Sequence, residues 1–342
     1  MKRTIAFRVA LAFAGVVAAL AALALYYLVV AERPVDTDAP EVLFAVPKGA
    51  SLVSISASLA GENLVRSAEY AYFRARFGRM SLKAGTYRVS AAWTTSEILG
   101  LLESGKQEYL RVTVPEGLSL TKTARHLAAA GVVDAGAFVS AASDAEVLAR
   151  FGIPGGSAEG FLFPDTYFFS YGMRAAEVVS LMIENFFRKT AGIANLPRDG
   201  EGLYRIVTLA SIVEREYRIA EEAPLIASVF SNRIKIGMGL QSCATVEYII
   251  TEIQGKEHPA RLSTKDLAIQ SDYNTYLWAG LPPGPISNPG RVSLEAAANP
   301  PRSSYLYFRL TDPATGRHSF TTSLDEHVEA GRTYYLKRAA GN

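Results

Sequence analysis

Apolar and polar positions alternate with three different rhythms along this 342-residue chain. From Val9 to Ala31 (VALAFAGVVAALAALALYYLVVA) there is no charge at all, and the run is as long as the roughly twenty apolar residues that cross a bilayer core. Lys2, Arg3 and Arg8 precede it, and Glu32 and Arg33 follow. The excess of positive charge before the run predicts a transmembrane helix with a cytoplasmic N-terminus and about 310 residues outside. Tyr26 and Tyr27, near its outer end, suit an interfacial aromatic belt. A cleaved signal peptide is the competing reading, since VVA precedes Glu32. Its apolar core would span only about 7–15 residues, so the uncleaved anchor is preferred.

After a Pro-containing, charged segment (ERPVDTDAP, 32–40) that reads as an extended linker, the rhythm shortens and repeats itself. VPKGASLVSISASLAGENLV starts at Val46 and VPEGLSLTKTARHLAAAGVV at Val114, an offset of 68. Each copy predicts a strand ending at Pro, a Gly turn and an amphipathic helix capped by Ser51 or Ser119. A second short helix follows each, at 67–77 and 134–142. Between the copies, LKAGTYRVS (82–90) alternates as a strand, and TTSEILGLLESGK (94–106) has a capping signal and a Gly stop. From the residues alone such α+β modules read as spacers more readily than as glycan binders. AEGFLFPDTYFFS (158–170) holds five aromatics in thirteen residues, which predicts an aromatic core strand, with a sugar-stacking platform as the alternative. A helix at 175–190 and a Gly/Pro-rich break then place a domain boundary near Asp199.

The third rhythm has helical period. LYRIVTLASIVEREY predicts a helix from about Gly202 to Tyr217, with Ile206, Leu209, Ala210, Val213 and Tyr217 as its apolar stripe. On that wheel Glu214 and Glu216 fall on opposite borders of the stripe, each roughly 80° from its centre. Periodicity does not choose between them. Partial burial would raise a carboxyl pKa and keep it protonated, as a general acid requires. The plainer reading pairs both with Arg233 or Arg218 on the surface. A second helix is expected from Ala223, with Pro224 in its first turn, to about Lys235, and a short one at ATVEYII. SDYNTYLWAGLPPGPISNPG (271–290) is a long polar-aromatic loop of a kind that usually binds something, and its Asn, Ser, Thr, Tyr and Trp suit carbohydrate. SYLYFRL and HSFTTS predict a hairpin turning at DPATG (312–316).

Composition narrows the chemistry. A net charge of +2 and the lack of a basic-aromatic patch argue against nucleic acid. Cys243 is the one cysteine, and His126, His258, His318 and His327 are scattered, so neither a disulfide nor a metal centre is expected, and no cofactor. No Ser sits in a nucleophile elbow, and Glu257-His258 reads as surface.

ASIVERE, ASVFSNRIKIGMGLQS, TVEYI, YNTY, GLPPGPISNPG, EAAANPPRSSYLYF and HSFTTSLDEH occur in that order, with EGFLFPDTY before them. Together they closely resemble the YceG-like family of endolytic murein transglycosylases, over nearly the whole chain after residue 40. The resemblance implies an α+β protein in five parts: a cytoplasmic tip and transmembrane anchor (1–31), a linker (32–40), a LysM-like module (41–110), a second α+β segment (111–198), and a mixed α/β catalytic domain with a lysozyme-like helical core (199–342). It also implies an enzyme of the bacterial cytoplasmic (inner) membrane, its catalytic domain outside, that cleaves the bond between N-acetylmuramic acid and N-acetylglucosamine in peptidoglycan and leaves 1,6-anhydro ends. Penicillin-binding synthases are the implied partners. The resemblance assigns the catalytic acid to Glu214, with Glu216 in support, and Gln241, Tyr273, Asn274, Thr275, Tyr276 and Asn288 to a glycan groove. Many relatives have Asp-Pro where this chain has Cys243-Ala244, which leaves Cys243 as an expected buried or semi-buried thiol.

Overall fold

The uncharged run is one continuous helix, α1 (Lys2–Glu32), in the computed structural model of the chain. The structure describes residues 2–312 and 314–340, with residues 2–10, 12 and 333–340 described by backbone alone. The segment Phe13–Glu32 is long and apolar enough to cross a membrane. Its side chains stay exposed as far as Val29, as a lipid-facing helix requires. The side chains of Lys2, Arg3 and Arg8, on which the expected orientation rests, lie outside the described residues.

Two compact units follow from the contacts, residues 1–109 and 110–342. In the first, β1 (Glu41–Val46) runs antiparallel to a later strand, and between them lie α2 (Leu52–Gly61) and α3 (Ala68–Phe77). That partner strand is β2 (Gly85–Ser90), and α4 (Thr95–Ser104) comes after it. Phe44, Val46, Tyr87 and Val89 turn inward at alternate positions of the two strands and meet Ile55, Leu59, Ile98, Leu99 and Leu102 from the helices. The caps are those the sequence predicts: Ser51 accepts from the Ser54 amide, Thr94 and Glu97 form a capping box, and Gly105 ends α4 at φ +72. Strand β2 starts later than expected, because the Lys83 amide bonds instead to the Leu102 carbonyl. Glu32, the last residue of α1, accepts from the Tyr70 hydroxyl (2.8 Å) and the Ser96 amide (3.2 Å). Residues 33–40 also lie against this unit: the Val35 amide bonds to Ala91, and Arg66 holds the Pro34 carbonyl.

The second unit begins with the other copy of the repeat, built from β3 (Tyr109–Thr113), α5 (Leu120–Ala129) and α6 (Ala135–Ala142). An extra helix, α7 (Ala145–Phe151), and the aromatic segment precede the returning strand β4 (Thr166–Ser170), which pairs with β3. Ser119 caps α5 as Ser51 caps α2. Phe161, Phe163, Tyr167 and Phe169 are buried, and only Phe168 of the five aromatics faces out. The segment is therefore a core strand with its approach, each buried ring worth about 1.5–3 kcal/mol of apolar burial.

Then come α8 (Ala175–Thr190), α9 (Gly200–Val213), α10 (Ala223–Lys235), α11 (Cys243–Tyr248) and α12 (Arg291–Ala298). The hairpin of β5 (Tyr307–Asp312) and β6 (Arg317–Thr321), with a bulge between Leu310 and Asp312, leads into α13 (Leu324–Ala340). One hydrophobic core runs through this unit from Val112 to Ala297. With thirteen α-helices and three two-stranded sheets among the described residues, the fold is α+β.

One element differs from its expectation in a way that bears on the chemistry. Helix α9 does not reach Tyr217 but stops at Val213. The Arg215 and Glu216 amides bond three residues back, to Ile212 and Val213, which tightens the chain into turns. The wheel therefore ceases to apply just where the glutamates begin, and they leave α9 into different surroundings.

Candidate active site

Glu214 caps a neighbouring helix. One of its carboxylate oxygens accepts from the Gly290 amide (3.0 Å) and from the Ser293 hydroxyl. The other lies 3.3 Å from the Tyr217 hydroxyl, which donates to it. Gly290 is the N-cap of α12 and has no side chain to offer the exposed amides of that helix end. Glu214 supplies the acceptor and the negative charge from another helix. Burial raises its pKa; the Ser293 and Gly290 bonds oppose this, and nearby Glu116 adds to it. The glycine turn of the second repeat closes this side. Gly117, at φ +75, would place a Cβ 3.6 Å from Glu214 Cγ, and a side chain at Gly290 would collide with the Glu116 carboxylate.

Glu216 faces the other way, into a cavity of about 340 Å³ shared with Arg233, Gln241, Ser242, Cys243, Tyr276 and His327. The Ser242 hydroxyl donates to its carboxylate. Burial pushes the Glu216 carboxyl up to about 7; the Ser242 bond lowers it, Glu247 raises it, and Arg215 and Arg233 lower it. Arg233 is no salt-bridge partner. It is buried, and its guanidinium donates to the carbonyls of Leu306 (2.6 Å), Gly239 and Leu240 (2.7 Å) while lying over the Tyr307 ring. Among the described residues neither glutamate pairs with Arg233 or Arg218, so the plainer expectation fails. Arg215 instead bonds Glu247 at 2.9 Å, and the exposed His258 lies 3.3 Å from the same carboxylate.

The other expected groove residues separate into two groups. Gln241 and Tyr276 stand in the cavity wall with Glu216. Gln241 is exposed and holds φ +52, a left-handed conformation rare for a residue with a side chain. Tyr273 is half-buried and packs on Tyr248 at 5.2 Å between ring centroids. Asn274, Thr275 and Asn288 are buried, and their polar atoms are used internally. Asn274 donates to the Leu267 and Ile269 carbonyls; Thr275 accepts from the Ser242 amide. Asn288 accepts from the Gly160 and Leu162 amides and donates to Leu118. Cys243 is exposed rather than buried or semi-buried, because it opens α11 at the cavity rim, its Sγ 3.1 Å from the Tyr276 hydroxyl.

Ser242, Ser293 and Glu116 belong to these surroundings and were not expected there. Ser242 sits beside Gln241 in LQSC, so its neighbour was the available signal. For Glu116 the signal was the repeat itself, since the matching position of the first copy is Lys48. Ser293 could not be anticipated, because its role depends on where α12 starts.

The profile of the YceG-like family matches residues 44–333. The chain is similar to the endolytic murein transglycosylase of Bacillus subtilis strain 168, with 31% identity over 88% of this chain and 87% of that protein. It is also similar to the endolytic murein transglycosylase of Streptococcus pneumoniae D39, at 25% identity, covering 86% of this chain and 58% of the longer streptococcal protein. Among solved structures it resembles a YceG-like protein from Listeria monocytogenes, with a TM-score of 0.57 and 30% identity over 85% of this chain and 99% of that one.

Proposed function

Because this chain belongs to the YceG-like family, we propose that it is a peptidoglycan-cleaving lytic transglycosylase whose general acid is Glu216, not Glu214. One observation carries the choice: Glu216 is the carboxyl that faces a cavity and is held near neutrality by burial, whereas Glu214 is committed to the N-terminus of α12. The protonated Glu216 gives its proton to the glycosidic oxygen between N-acetylmuramic acid and N-acetylglucosamine, and that C–O bond breaks. As carboxylate it then removes the proton of the muramoyl C6 hydroxyl, whose oxygen bonds to C1. Water takes no part, the product end is a 1,6-anhydro sugar, and the acid is regenerated. One carboxyl is enough, unlike the two-carboxylate scheme of hydrolysis.

Ser242 orients the acid, and Gln241 and Tyr276 are the glycan contacts we retain from the expected groove. Thr275 holds Ser242 in place and Asn274 holds the loop that carries Tyr276, while Asn288 braces the segments around Leu118 and Gly160, and Tyr273 packs on Tyr248. Glu216, Ser242, Gln241 and Tyr276 come from 199–342, which we take as the catalytic domain, its α9–α12 region serving as the lysozyme-like helical core. We read 41–110 as a LysM-like module from its strand–helix–helix–strand order. With α1 as a single span and the N-terminus inside, the catalytic domain would meet nascent strands and the penicillin-binding synthases that make them.

The test is to digest purified glycan strands with the full-length protein in detergent and weigh the products. Anhydro-muramoyl ends are expected. Reducing ends, heavier by one water, would indicate a hydrolase, and binding without cleavage a scaffold. The pH profile has a defined sign. Donation needs the protonated carboxyl, so kcat/KM should fall as pH rises through about 7. A rate that climbs through that window would exclude Glu216 as the acid.

A further inference from the structure

A second cavity lies on the other side of the loop that carries Tyr276. It holds about 480 Å³, within the roughly 300–1,000 Å³ of small-molecule clefts. Its lining combines Trp278, Ile249 and Ile253 with Gln254, Gln270 and Asp272. Trp278 is 54% exposed and Ile253 53%, so an indole face and an aliphatic patch stand open beside amide and carboxylate groups. No cation lines it.

The loop between the two cavities is firmly held. The Leu277 and Trp278 amides both bond to the Asn274 carbonyl. Asn274 is itself tied to Leu267 and Ile269, and Ala279 forms a bridge with Gly239. Tyr276 therefore lines the Glu216 cavity while Trp278, two residues on, lines the second, with neither position left to a mobile tip.

We propose that the Trp278 cavity is a distal subsite for a sugar ring of the same glycan strand that is cut at Glu216, a reading that rests on the function proposed above. An aromatic face stacks on the C–H face of a pyranose. Gln254, Gln270 and Asp272 supply both donors and an acceptor for hydroxyl and N-acetyl groups, and Ile253 receives the acetyl methyl. Occupancy of both cavities requires a strand longer than the bond being broken, so the subsite favours cleavage inside long strands over short fragments.

Trp278→Ala in the full-length protein tests this, with cleavage measured on long strands stripped of their stem peptides and on a short oligosaccharide. The expected result is a roughly tenfold fall in kcat/KM on long strands, the effect of losing about 1.4 kcal/mol of binding, with an unchanged rate on the short substrate and an unchanged melting temperature. Trp278→Phe should restore most of the loss. Equal rates for parent and Trp278→Ala at every length would overturn the subsite while leaving the proposed activity intact. A loss seen only on strands that keep their peptides would also overturn it, in favour of a peptide site. If the parent protein itself cleaves nothing, the proposed function fails first.

Discussion

Glu216→Gln should cleave glycan strands at least about a thousandfold more slowly than the parent protein, within the range lost when a general acid is removed. The amide keeps the shape and can still accept from Ser242, so binding and folding should survive. Stability should move in the opposite direction to activity. A carboxyl whose folded pKa of about 7 lies above its ordinary value disfavours the folded state as pH rises from about 4.5 to 7. Removing that carboxyl should therefore raise the melting temperature at pH 8, by the equivalent of on the order of 1 kcal/mol for this partly exposed group, and change little at pH 5. Glu214→Gln is the control. Burial already disfavours the Glu214 carboxylate, and the amide oxygen of Gln can still accept from the Gly290 amide and the Ser293 hydroxyl, so this change should leave melting at neutral pH little altered and cleavage measurable. A dead Glu214→Gln with normal melting, beside an active Glu216→Gln, would return the catalytic role to Glu214.

Asn288→Ala should be among the most destabilising single changes in the second unit. It leaves the buried Gly160 and Leu162 amides without an acceptor and the Leu118 carbonyl without one of its donors. Each stranded group costs about 1–3 kcal/mol, so a loss of about 3–5 kcal/mol is expected. For a unit of this size that lowers the melting temperature by about 10 °C. Gly160 cannot compensate by moving, since it sits at φ +87 with Pro285 and Val207 where a side chain would be. Activity should fall with stability, measured on the full-length protein by thermal melting and by product yield. Lost activity with unchanged melting would mean instead that Asn288 touches the glycan.

Much of this architecture was legible because local signals suffice for it. Ser51, Ser119 and the Thr94–Glu97 box fix helix starts by neighbours three residues away, and Pro224 marks the start of α10 in the same way. The site was less legible for two reasons. The end of α9 is set by the switch of Arg215 and Glu216 to shorter backbone bonds, which no periodicity reports, so the symmetric placement of the two glutamates did not survive. The loop 271–290 reads as a binding loop by composition, yet Asn and Thr have the same appearance in sequence whether they meet a sugar or a buried amide. Asn288 and Asn274 are of the second kind because α5, the aromatic segment and the 267–269 turn bring carbonyls and amides to them from distant positions.

The two copies of the repeat have been left with unequal freedom. Around Gly49 there is open space, whereas Gly117 packs beside Glu214 and Arg215, and its amide is bonded to Asn288. An extra residue in the first turn would displace nothing near it. The same insertion in the second would slide Gly117 and Leu118 out of step with Asn288, whose amide bonds to Leu118 in return. A change of length or composition between Pro47 and Ala50 should therefore be tolerated, whereas the same change between Pro115 and Leu118 should break the contacts that turn supports.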